Sequence, residues 1–211
     1  AKGARGPDHW LPHMLGHEAT GRVVSIGSAV TKVSTGDLVV LGWIKGQGCE
    51  AGGCQYLCDE VTINAGGVTT FSDHAVVSEN RLVKLPKGVP IDLGVLFGCA
   101  LPTGAGLVFN EVQPEVGSSV VVFGLGGIGL SALIAARTYD VTIIAVDISS
   151  SKLELALKLG ADHVIDARSF SPVPFIKQIT GLGADYCLEC SGQTSVIQQA
   201  FLASHPNKGL T

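Results

Sequence analysis

Six consecutive residues, Gly124-Leu125-Gly126-Gly127-Ile128-Gly129, carry the clearest chemical signal in this 211-residue chain. Three glycines at this spacing suit a diphosphate. The first permits a tight turn, the second lets backbone approach a pyrophosphate, and the third allows a helix to pack closely on a sheet. The anion would rest on the unpaired N–H groups of a helix start, where the macrodipole favours negative charge. Asp147 follows Gly129 by 18 residues, the place for a carboxylate that accepts hydrogen bonds from the adenosine ribose hydroxyls. A 2′-phosphate would instead need a nearby arginine and no acid. Asp147 is followed by Ile148-Ser149-Ser150-Ser151, so NAD is favoured over NADP. Lys152, the one cation close by in sequence, is placed to reach a ribose hydroxyl.

The elements around the glycines suit this chemistry. Val120-Val121-Val122-Phe123 reads as a strand before the turn, and Val141 to Val146 as a second strand ending on Asp147. Between them, a helix over 127–139 is expected to turn Ile128, Ser131, Leu133, Ile134 and Ala135 towards a sheet. A helix over 150–159 opens on Ser151-Lys152-Leu153-Glu154, a capping-box spacing, and stops at Gly160. His163-Val164-Ile165 is a third strand, 174–180 a short helix, 185–189 a fourth strand and 193–203 a last helix. Strands alternating with helices mean a parallel sheet with right-handed crossovers.

The first half reads differently. Short strands from His17 to Gly27, over 30–33, at Leu38 to Leu41, over 68–77 and at Leu82 to Leu85 are separated by turns and suggest a small barrel-like β domain. Residues 42–67 hold seven glycines and three cysteines and read as a lobe or long loop. Residues 91–97 and 103–109 are apolar enough for two short helices. Gln113-Pro114-Glu115-Val116-Gly117 marks the expected boundary, giving domains 1–114 and 115–211.

The totals bound the function class. A net charge of −4 offers no field for nucleic acid. The apolar runs are broken well short of a membrane span. Six cysteines without a signal peptide point to metal ligands and free thiols in a reducing compartment, hence a cytoplasmic protein. Ala1 is not an initiator methionine, and Lys208-Gly209-Leu210-Thr211 ends where another strand is about to begin, so a piece of a longer chain is expected.

Three motifs in order, Gly16-His17-Glu18-Ala19, Gly98-Cys99-Ala100-Leu101-Pro102-Thr103-Gly104 and the 124–129 turn, resemble the zinc-containing medium-chain alcohol dehydrogenases. The resemblance implies an α/β fold, a Rossmann-type parallel sheet preceded by a GroES-like β-barrel domain. By the same resemblance His17 and Cys99 are ligands of a catalytic zinc, and Glu18 is a neighbouring or exchanging one. Thr103 contacts the nicotinamide, and Ser191, in Cys190-Ser191-Gly192, lies in a turn beside the cofactor. The implied activity is zinc-dependent hydride transfer between an alcohol (secondary alcohol, polyol or cyclitol) and NAD, in a homo-oligomer, dimer or tetramer.

The chain departs from the family pattern in two places. The family's remaining zinc-ligand cysteine precedes the Gly-His-Glu motif, and no cysteine precedes His17 here. Cys49, Cys54 and Cys58 occupy the region of the family's structural zinc lobe, but they are three rather than four and irregularly spaced. Asp59 or Glu60 is the substitute donor if that lobe holds zinc. Cys187 and Cys190, three apart in a strand, point to opposite faces and read as buried thiols rather than as a metal pair. Two alternatives stand beside the dehydrogenase: a zinc-free quinone or enone reductase using NADPH, and a non-catalytic NAD-binding homologue or fragment.

Overall fold

The computed structural model of the chain describes Gly6, Pro7 and residues 9–211. Residues 1–5 and 8, which belong to the expected first domain, lie outside the described residues. Two compact units divide the chain, Ala1–Cys99 and Ala100–Thr211. The expected boundary at 113–117 marks where the strand–helix rhythm starts. Compactness changes earlier, because the helical stretch before that rhythm packs on the second unit's own helices.

The first unit contains strands β1 (Ala19–Arg22), β2 (Leu38–Leu41), β3 (Cys54–Cys58), β4 (Val61–Gly66) and β5 (Leu82–Lys84), then a short helix α1 (Ile91–Gly94). β1, β2 and β5 form one antiparallel sheet in that order, with Ala19 opposite Leu41 and Leu41 opposite Leu82. Val39, Leu41 and Leu82 turn to one face and meet Val33 and Val68 in a small core. Residues 30–33 and 68–77, expected as strands, are irregular. Val33 and Val68 are nevertheless buried, so burial without ladder pairing produced the apparent strand signal.

Part of the expected lobe is instead the β3–β4 hairpin, closed at Asp59, whose φ is +53°. Its side chains are mostly exposed or half-buried, which is why no apolar alternation marked it. β3 also separates two of the candidate zinc ligands. Cys54 and Cys58 stand at its two ends, about 13 Å apart at a strand's rise. The Cys49 thiol donates to Ala29 O at 3.4 Å and the Cys54 thiol to Val76 O at 3.3 Å. The strand thus sets Cys54 and Cys58 apart, and among the described residues no group of three or more His, Cys, Asp or Glu is placed to hold a metal.

A carboxylate organises the loops of this unit. Glu79, 4% exposed, accepts the backbone N–H groups of Thr31 (2.6 Å), Lys32 and Cys49 (2.8 Å). These three bonds, that from Cys49 foremost, hold its carboxyl far below the usual range, at about 2.

The second unit opens with α2 (Ala100–Gly106), which widens into a π-helical stretch, Leu107–Val112. Then come β6 (Ser119–Phe123), α3 (Gly127–Ala136), β7 (Thr142–Asp147), α4 (Ser150–Lys158), β8 (His163–Asp166), α5 (Pro172–Thr180), β9 (Tyr186–Glu189) and α6 (Thr194–Ala203). The strands pair in parallel in the order β8-β7-β6-β9, as the alternation predicted. Both faces are covered. Val120, Val122, Ile143 and Ala145 enter one core, and Val121, Phe123, Ile144 and Val146 the other, which explains unbroken apolar runs in place of alternation. Beyond β9, Leu210 forms an isolated parallel bridge with Tyr186.

Two local expectations need correction. α3 buries Gly129, Ala132, Leu133, Ala135 and Ala136, while Ile128 and Ile134 face outward. Small residues let the helix sit close to its neighbours, and the larger isoleucines would prop it away. α4 starts from Ser149 without a side-chain cap, so Ser151 and Glu154 form no capping box. Among the described residues no single helix is long and apolar enough to cross a membrane.

Glu79 supplies the first test. Its carboxyl titrates near 4.5 unfolded and about 2 folded, so its contribution is complete above pH 4.5 and is lost as pH falls towards 2. Glu79→Gln should lower the melting temperature at pH 7 by several degrees. The gap to the parent should close as pH drops below 4, and thermal unfolding followed by circular dichroism across pH checks both.

Candidate functional site

The turn after β6 is held from two sides. Gly124 has φ +86°, open to glycine, and a Cβ there would meet Ser191 N at 2.9 Å. Gly124 N donates to Val146 O at 2.8 Å, and Cys190 N to Phe123 O at 2.8 Å. The turn thus lies between the ends of β7 and β9. A Cβ on Gly129 would overlap the Gly124 carbonyl oxygen, so α3 can fold back this tightly only with glycine there. Gly126 differs: a Cβ would meet nothing within 4 Å. Gly126 caps α3 with no side-chain hydrogen bond. Its surface is open, and the donors of the first helical turn behind it suit an anion.

Asp147, 8% exposed, is wired into this turn. Its Oδ2 accepts Leu125 N–H at 2.6 Å, and its Oδ1 accepts Ser149 N–H at 2.8 Å. Each oxygen keeps a second lone pair for a ligand hydroxyl. Lys152 Nζ stands 4.0 Å from Oδ2 and is half-exposed. Sequence reading missed one neighbour. Arg168 Nη2 donates to Ser150 Oγ at 3.3 Å, bringing an arginine to the end of β7. It is already paired with Asp166, Nη2 to Oδ2 at 2.7 Å and Nε to Oδ1 at 3.1 Å. Only the β7–β8 pairing reveals it.

A cavity of about 710 Å³ within this unit gathers Thr103, Ile128 and Ser191, all singled out from sequence. Glu189, Asn110 and Glu111 also line it and were not anticipated. Glu189 ends β9 and accepts the N–H groups of Ser191 (2.8 Å) and Gly192 (3.1 Å) and the Ser191 hydroxyl. Its position at a strand's carboxyl end was the available signal. Cys187 lies in one sheet core and Cys190 against the other, on opposite faces as expected. Burial pushes both thiols up to about 11.

In the first unit His17 and Cys99 line one cavity of about 740 Å³ although 82 residues separate them. Gly98 makes this possible: a Cβ there would lie 2.5 Å from Leu41 O and 3.3 Å from Glu18 Cα. The chain before Cys99 therefore runs directly against β2 and Glu18. Glu18 sits beside Gly98 and is not a lining residue of the cavity. Zinc fits this site incompletely. His17 and Cys99 are suitable soft donors, yet among the described residues no group of three or more His, Cys, Asp or Glu is placed to hold a metal. NAD fits the second unit well, on the open Gly126 surface and the aimed Asp147.

Family models match both halves of the chain. Residues 2–87 match the model described as alcohol dehydrogenase GroES-like domain, and residues 127–209 that described as zinc-binding dehydrogenase. A class-3 alcohol dehydrogenase of Pisum sativum is 32% identical, covering 98% of this chain and 62% of its own length. The solved benzyl alcohol dehydrogenase of Acinetobacter calcoaceticus is 37% identical with a TM-score of 0.78, covering 92% of this chain and 59% of its own. A quinone oxidoreductase of Pseudomonas syringae, 23% identical with a TM-score of 0.76, covers 95% of this chain and 55% of its own, and shares the fold. The chain thus spans about three fifths of the length of the relatives it matches.

The two glycines of the turn should separate on mutation. Gly129→Ala forces a methyl into the Gly124 carbonyl and should cost about 1–3 kcal/mol. Gly126→Ala points into open space and should stay within about 0.5 kcal/mol of the parent. Urea unfolding of both variants measures the difference.

Proposed function

Because the chain belongs to the zinc-binding medium-chain alcohol dehydrogenase family, we propose that it binds NAD at the 124–129 turn and serves hydride transfer between an alcohol and that cofactor. The observation that carries the reading is the turn: an uncapped helix start, an open Gly126 and a buried acid bonded to Leu125 N–H. When bound, NAD supplies the hydride acceptor. The chain supplies position. First-turn N–H groups of α3 hold the diphosphate. Asp147 meets the ribose hydroxyls, with Lys152 beside it. Thr103, Ile128 and Ser191 form the walls against which the nicotinamide is oriented and kept from water.

In the first unit His17 and Cys99 are this chain's two donors towards the family's zinc, with Glu18 alongside. Neither residue type is needed by a metal-free quinone or enone reductase, and their sharing one cavity although far apart in sequence favours the dehydrogenase. The alcohols expected from the resemblance, a secondary alcohol, polyol or cyclitol, belong to the same reading. Assembly as a homo-oligomer, dimer or tetramer, belongs to it too.

NADH titrated into the protein should saturate, followed by its fluorescence, with NADPH bound at least about tenfold more weakly. Gly126→Val should lower NADH affinity by at least about tenfold while leaving the melting temperature near the parent's. Asp147→Asn should weaken binding and also lower the melting temperature, because it loosens the Leu125 contact. NADH formation on adding alcohol and NAD completes the test. Tighter binding of NADPH than NADH would overturn the cofactor assignment and revive the reductase, and NADH binding without alcohol-dependent turnover would leave a binding module.

A further inference from the structure

The end of β7 carries the parts of a phosphate site and the charges that cancel it. α4 starts from Ser149 without a side-chain cap, and the hydroxyls of Ser149 and Ser151 lie 3.0 Å apart. Arg168 Nη2 reaches Ser150 Oγ at 3.3 Å, and Lys152 Nζ stands 4.0 Å from Asp147 Oδ2. A helix start, hydroxyls and two cations together suit an anion. Each cation, however, is matched by an acid, Lys152 by Asp147 and Arg168 by Asp166. A phosphate arriving here would meet both carboxylates and no net positive charge.

The two acids act differently. Asp147 and Asp166 are opposite one another in the β7–β8 register, on strands about 4.8 Å apart. Asp147 is bonded to the turn and to Ser149, whereas Asp166 folds Arg168 back on itself. Arg168 donates from Nη2 to Oδ2 at 2.7 Å and from Nε to Oδ1 at 3.1 Å. That edge of the guanidinium is the one that would grip a phosphate by the same two parallel bonds. The second hydrogen of Nη2 goes to Ser150, so the fork is filled. The turn after β8 does not depend on this charge. Its backbone closes on Asp166 through Ser169 N–H and Phe170 N–H to the carbonyl, each at 3.1 Å. Arg168 N–H also reaches Oδ1, at 3.0 Å, a bond that an amide oxygen would keep. The Arg168 side chain is 55% exposed, and an ion pair so open to water contributes little to stability. Its consequence is for a ligand.

We propose that Asp166 is a positioning residue for cofactor choice: it withholds Arg168 from the 2′-phosphate that distinguishes NADPH from NADH, and loss of its charge turns the chain towards NADPH. The inference rests on NAD binding at the 124–129 turn, because the 2′-phosphate is borne by the ribose that Asp147 meets. Neutralising Asp166 leaves the local charge positive and releases a guanidinium that already touches the start of α4.

The full chain and its variants are titrated separately with NADH and NADPH, followed by nucleotide fluorescence. Asp166→Asn should tighten NADPH at least about tenfold and leave NADH within about threefold. Asp166→Glu, which keeps the charge, should retain the parent's preference. Adding Arg168→Ala to Asp166→Asn should abolish the gain, since the released cation produces it. Added salt should erode the gain as well. Melting temperatures near the parent's separate these effects from misfolding. A merely structural Asp166 would weaken both nucleotides together. Failure of the parent to bind either nucleotide would sink the cofactor reading and this inference with it. Saturable NADH binding with an unmoved NADPH-to-NADH ratio in Asp166→Asn, or a gain that survives Arg168→Ala, would overturn this inference alone.

Discussion

The hydrogen bond from Leu125 N–H to Asp147 Oδ2, 2.6 Å long and buried, joins the two strands on which the second unit is built. It ties the turn leaving β6 to the acid ending β7, so the position of one sets the other. The β9 end closes the same turn from the opposite side through Cys190 and Ser191. Gly129 then brings α3 back against the turn with no room for a methyl group. Once these contacts are made, the helix start, the open Gly126 and the carboxylate cannot drift apart. A buried acid that accepts two backbone N–H groups is also protected from the cost of an unpaired buried charge. The same carboxylate can serve structure and ligand because each of its oxygens has a lone pair to spare.

The first unit reaches order by another route. Its apolar core is small, five buried residues around a three-stranded sheet. Much of its loop order comes instead from charge-assisted bonds, above all those of Glu79 to three backbone N–H groups of two separate loops. Glu50 adds a second node, bonded to Lys45, Asn80, Ser78 and Gly52, with Lys45 foremost in drawing its carboxyl down to about 2. This economy leaves tryptophans and soft donors on a cavity wall rather than in a core.

What was legible in sequence follows from what each signal measures. Continuous apolar runs with a glycine turn and a distant acid gave the parallel sheet, and Thr103, Ile128 and Ser191 do share a cavity. His17 and Cys99 were paired by resemblance, and they line one cavity, with Gly98 running close against Leu41 and Glu18. The β3–β4 hairpin was illegible because its side chains face water and leave no alternation. The placement of the cysteines was illegible for the same reason, since an unseen strand sets Cys54 and Cys58 at opposite ends. Glu79, Arg81, Arg168 and Glu189 were missed because each acts through a partner remote in sequence or through backbone atoms, which residue types alone do not disclose.

The central claim is that the turn between β6 and α3 holds a dinucleotide diphosphate with Asp147 on the ribose. A crystal structure of the full chain grown with NADH tests it directly. The account predicts diphosphate oxygens within hydrogen-bond distance of the first-turn N–H groups of α3, packed over Gly126, and ribose hydroxyls on Asp147. Nucleotide bound elsewhere, with the Gly126 surface bare and Asp147 contacting protein alone, would contradict it.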